Sequence, residues 1–179
     1  MPLKILIGIC LLRASPQDLP ASRAGMLAAL VAYAAAGALG VIDVVTFENA
    51  ILAAAVDTLL LVAVTHVVLQ WRQLEIRLTQ TLTALAGCGA LLSLLVWGAA
   101  NLAAEAFPPE GVLGSVTAPS LAHSWVWAAF LVWYTLVFGH ILRHALSITL
   151  AAAVAASLCY LIFSTGVAGL FMNPVPAAS

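Results

Sequence analysis

Charge is what this sequence has least of. Asp, Glu, Lys and Arg make up 7% of the 179 residues, six basic and seven acidic, while 64% are hydrophobic. An average soluble domain is roughly 25% charged, and a body facing water on every side needs more polar surface than so few charges supply. An ordinary water-soluble fold is therefore excluded, and lipid takes the place of water. The net charge of -1 leaves no basic field for nucleic acid and no acidic tail for basic partners. Cysteine is nearly as scarce. Cys10, Cys88 and Cys159 sit in apolar surroundings without a C-x-x-C pair or an even framework, so neither a disulfide nor a zinc site is expected. The nucleophile-elbow, P-loop and zinc-protease signatures are also missing, and no spacing of Ser, His and Asp suggests a triad. The expectation is a chain that performs no catalysis.

Long apolar runs fill the space that these absences leave. Five are long enough to cross a bilayer, at about residues 24–47, 49–71, 78–103, 121–143 and 147–171. Backbone amides in hydrocarbon need internal partners, and these Ala, Leu and Val runs lack the alternation of a barrel strand. The fold class is accordingly all-α, a polytopic transmembrane helical bundle of five spans preceded by a short interfacial helix. In domain terms, residues 1–23 form a cytoplasmic N-terminal interfacial segment, 24–171 the five-helix transmembrane domain, and 172–179 an extracytoplasmic tail. The apolar run Leu3–Leu12 reads as retained rather than as a cleaved leader, because Lys4, Arg13 and Arg23 flank it on both sides and a full span follows at once. Ten helical residues reach only about 15 Å, too short to span. Pro16 and Pro20 separate it from the first span, and Pro108, Pro109, Gly111, Gly114 and Pro119 mark an irregular loop across Glu105–Ser120.

The cations orient the bundle. Lys4, Arg13 and Arg23 precede the first span, Arg72 and Arg77 lie between the second and third, and Arg143 closes the fourth. The opposite connections hold Glu48, Glu105 and Glu110 but no Lys or Arg. Positive loops are retained in the cytoplasm, so this partition places the chain in a cell inner membrane with a cytoplasmic N-terminus and a periplasmic C-terminus. Trp71, Trp97, Trp125 and Trp127 suit interfacial anchors.

Polar residues within the spans are the candidate sites. Asp57 lies about 12 Å into the second span, where an ionisable side chain costs a few kcal/mol and needs a reason. It is read either as a proton or ion site or as a hydrogen-bonding carboxyl that glues two helices. His66 stands near the cytoplasmic end of the same span. His140 and His144 share a face of the fourth through their i, i+4 spacing, so that a metal or haem b site is an alternative to no cofactor at all. His123 is expected at the outer interface. Gly40, Gly87, Gly89, Gly166 and Gly169 are candidate packing positions, since small residues let helix backbones approach.

The segment Leu11-Leu-Arg-Ala-Ser-Pro16 ahead of five tightly connected spans, Arg77-Leu-Thr-Gln-Thr-Leu-Thr83 at the third, and Trp133-Tyr-Thr-Leu-Val-Phe-Gly-His-Ile-Leu-Arg-His-Ala145 at the fourth carry a likeness. In this order of parts the chain resembles the Yip (Ypt-interacting protein) family and its bacterial relatives. The resemblance implies a five-span helical fold and, in eukaryotic members, a role in vesicle traffic through Rab-type GTPases. That role needs a longer cytoplasmic N-terminal region than the one present, so only the fold is expected to carry over. Three functions are weighed. The first is a non-enzymatic protein that organises the membrane or serves as an accessory subunit, with the lipid bilayer and other membrane proteins as partners and a homo-oligomer open to it. The second is a small proton- or ion-coupled transporter using Asp57, and the third a histidine-ligated haem or quinone redox subunit.

Overall fold

The structure is a computed structural model that describes residues 2–42, 45–106 and 118–170; the side chains of residues 2, 100, 103–106 and 118–127 are not among those described. The chain folds as a helical bundle. Helix α1 covers Pro2–Cys10 and is followed by a 3-10 turn at Pro16–Asp18. Helices α2 (Arg23–Val41), α3 (Phe47–Trp71), α4 (Leu78–Ala106), α5 (Ala118–Leu146) and α6 (Leu150–Gly169) are the five elements long and apolar enough to cross a membrane. A second 3-10 turn, Glu75–Arg77, leads into α4. The expected loop core at 107–117 and the tail 172–179 lie outside the described residues, as do the side chains of Glu105, Glu110, His123, Trp125 and Trp127.

Local chemistry sets the helix ends. Ser22, Thr46 and Thr149 each accept a hydrogen bond through the side-chain hydroxyl from a backbone N–H three residues on, which starts α2, α3 and α6. The cap at Thr46 puts Phe47 in the second span, whereas the sequence reading ends the first span there. The ends of α1, α3 and α5 share another device. Leu12, Gln73 and Ser147 adopt positive φ angles of 59°, 58° and 54°. The N–H groups of Arg13, Leu74 and Ile148 reach back five residues to the carbonyls of Gly8, Leu69 and Arg143. This is the helix-terminating turn in which glycine is the usual occupant, here built from other residues.

Helix α4 is the axis of the bundle. Every residue from Thr81 to Ala90 is buried, so α4 is covered on all sides over nearly three turns. The small side chains of Ala84, Ala86, Gly87, Cys88, Gly89 and Ala90 let neighbours close in, with α2 packed along it and α1, α3 and α5 around it. A Cβ on Gly87 would fall 2.8 Å from Leu6 of α1, and one on Gly89 would fall 2.6 Å from the Tyr33 ring of α2. Helices α5 and α6 approach backbone to backbone at Gly139, where a Cβ would meet Val154 at 2.8 Å from its side chain and 3.1 Å from its Cα. At Gly40, Gly166 and Gly169 a Cβ would meet nothing within 4 Å among the described residues.

The N-terminal segment is fastened into the bundle. Ile9, Pro16 and Leu19 are fully buried, and Leu3, Ile7 and Leu11 form the exposed stripe of the same segment. The Cys88 thiol points to the Leu6 carbonyl at 3.6 Å, Gln80 donates to the carbonyls of Gln17 and Leu19, and Gln17 donates to His144 O. Arg77 donates to the His144 and Ala145 carbonyls and to the Ser147 hydroxyl, and Arg72 donates to Leu146 O at 3.4 Å. These bonds satisfy carbonyls that the end of α5 leaves without helical partners. They also gather residues 13–19, the 72–77 connection and the α5–α6 turn at one end of the bundle, which is the end that carries the arginines.

Candidate functional site: a carboxyl caged by hydroxyls

Polar groups inside the spans mostly find partners on their own helix. The hydroxyls of Thr58, Thr81, Thr83 and Thr135 each donate to the carbonyl four residues back. Ser157 of α6 donates to Thr135 O of α5 at 3.0 Å, a bond between helices beside the close contact at Gly139. Asp57 cannot be satisfied in this way, since a carboxylate offers the backbone only acceptors where acceptors already point outward.

Its partners come from two other helices. The Tyr33 hydroxyl of α2 donates to Asp57 Oδ2 at 2.6 Å. On α6 the Tyr160 hydroxyl donates to Oδ1 at 3.4 Å, and the Ser164 hydroxyl donates to the same oxygen. Helix lengths explain the meeting. Asp57 lies fourteen residues before the end of α3 at Trp71, and Ser164 fourteen after the start of α6 at Leu150, so both stand about 21 Å from the arginine-bearing end. Asp57 is half-buried, while Tyr33 and Ser164 are buried. Around this node lies an aromatic layer. Tyr134 stacks on Phe138 with ring centroids 4.3 Å apart, and Phe138 lies 6.4 Å from the Tyr160 ring. One carboxyl thus draws α2, α3 and α6 together through hydroxyl donors, with no cation among its hydrogen-bond partners.

The histidines are distributed differently. The His140 and His144 rings meet edge to face at 4.6 Å, and His140 Nε2 lies 3.0 Å from the Ala14 carbonyl. One ring nitrogen of His140 is therefore committed to the turn after α1. His66 is exposed on α3 and takes no part in that cluster. Among the described residues no three His, Cys, Asp or Glu side chains come together in a way that could hold a metal ion. Tyr33 and Tyr160 are the functional residues that sequence reading overlooks, and the signal for them was there: a tyrosine deep in an apolar helix carries a hydroxyl that needs a partner, and Asp57 is the natural acceptor.

No family model matches the sequence, and no curated protein or solved structure matches it either. The chain is, on its five apolar helices, a polytopic membrane protein.

Proposed function

We propose that this protein is a non-enzymatic inner-membrane component that works by binding other membrane constituents, with its N-terminus in the cytoplasm and Asp57 serving as an internal lock between helices. The observation that carries this reading is the Asp57 node. Its hydrogen-bond partners belong to the chain's own α2 and α6, so the polar capacity of Asp57 is spent on holding the bundle together. A lock needs hydrogen bonding rather than charge. Replacing Asp57 by Asn keeps a group that pairs with hydroxyls, and the Asp57→Asn protein is expected to retain both its assembly in mild detergent and its cellular role, whereas Asp57→Leu loses both.

A second reading is favoured by one feature: among the described residues Asp57 has no cationic partner. A carboxyl met by three hydroxyl oxygens is a set that takes a proton or a small monovalent cation, as an ion-coupled carrier requires. Proteoliposomes separate the two readings. Proton or sodium flux that disappears in Asp57→Asn supports the carrier and sinks the lock, while equal leak rates for both proteins support the lock.

A further inference from the structure

Between α3 and α6, on the arginine side of the Asp57 node, lies an apolar slot with a volume of about 330 Å³. Leu61 and Leu69 of α3 form one wall and Ala156 and Phe163 of α6 the other, with Thr81 of α4 and Phe138 of α5 behind. The slot follows α3 from Leu61 to Leu69, eight residues or about 12 Å along the helix axis. Its lining suits an alkyl chain, and a cation at its mouth favours a lipid over a partner helix.

The mouth supplies the other half of a lipid. Leu146 lines the slot at the arginine-bearing end, and the Arg72 guanidinium rests on the Leu146 carbonyl. Arg72 is exposed, and its side chain makes that single hydrogen bond, at the long distance of 3.4 Å, among the described residues. Arg77 beside it is already turned inward onto three acceptors. A guanidinium at headgroup height pairs with phosphate through several N–H donors. We infer that the slot holds one acyl chain of an anionic phospholipid whose phosphate is bound by Arg72. The inference stands on the slot and its mouth and does not depend on which role Asp57 plays.

Native mass spectrometry tests it on the full chain in mild detergent, equilibrated with equal amounts of phosphatidylglycerol and phosphatidylcholine bearing identical acyl chains. One phosphatidylglycerol is expected to be retained in preference to phosphatidylcholine by about five-fold, the factor expected for one cation at the lipid surface. Arg72→Gln should bring the two lipids to parity, and Arg72→Lys should keep part of the preference. Ala156→Phe, which fills the slot, should lower retention of both. Circular dichroism of each variant shows that the helices are intact. Equal retention by the unaltered protein overturns the inference, and so does a preference that survives Arg72→Gln. Dimers dispersed by Ala156→Phe with lipid retention unchanged would also overturn it, by assigning the slot to a second copy.

Discussion

Gly139 and Gly166 are both glycines in long apolar helices, and the two should respond in opposite ways to a single methyl group. At Gly139 the added Cβ meets backbone atoms of Val154, which cannot swing aside as a side-chain tip does. Gly139→Ala is expected to destabilise the protein by about 1–3 kcal/mol, the range for overpacking a tight contact. At Gly166 the methyl group meets none of the described residues within 4 Å and helix propensity decides, so Gly166→Ala is expected to be neutral or to stabilise by up to about 1 kcal/mol. Thermal unfolding of both variants in one detergent checks the contrast; a matched fall in both would remove the distinction. Composition alone does not separate these glycines, because each sits in a similar apolar stretch and only the partner helix differs. The same limit applies to Asp57. Its depth was readable from the sequence, and so was the cost of placing it there. Which helices would supply donors depended on pairing α2, α3 and α6 at matched heights. Tyr33 stands eight residues before the end of α2 and Asp57 ten after the start of α3, so a height-matched hairpin already brings these two within reach.

At the scale of the element, three helices stop at residues that are poorly suited to the conformation they adopt. A left-handed backbone costs a residue other than glycine roughly 1–2 kcal/mol. Gln73 is exposed, and none of its side-chain atoms enters a hydrogen bond described for this protein. Gln73→Gly is therefore expected to raise stability by about 1 kcal/mol while leaving the 72–77 connection in place. A rise in the melting temperature in detergent is the measurement, and a fall would mean that the glutamine side chain does more than fill the turn. The helix stops explain why boundaries were less legible than spans. Apolar runs located the five long helices to within a few residues at most ends. The first span departs most, since its helix ends at Val41 and the Thr46 cap gives Phe47 to the following helix. Capping is a matter of one hydroxyl and one N–H, and a hydropathy pattern does not register it.

At the scale of the whole molecule, the cations partition across the five-span fold. Arg77, Arg72 and the segment around Arg13 converge with the end of α5, which puts the arginines at a common end. A reporter active only outside the cytoplasm is expected to stay silent when fused within residues 72–77 and to become active within 107–117. The reverse pattern would invert the threading and move the Arg72 lipid site to the other leaflet. The bundle was legible because each span declares itself alone. The fastening of residues 2–19 onto α4 and α5 was not, since Ile9, Pro16 and Leu19 are ordinary apolar residues until their partners are known.

That fastening carries a consequence for biogenesis. Residues 2–19 leave the ribosome before any of the spans, yet the carbonyl and ring that receive Ala14 and Gln17 belong to residues 140–144. The segment's bonds to α4 can form after the third crossing, but its docking is complete only when α5, the fourth, has been made. Its closure onto α4 and α5 is a late, long-range step of assembly. Bulky fusions ahead of Pro2 should therefore leave insertion untouched and hinder maturation instead.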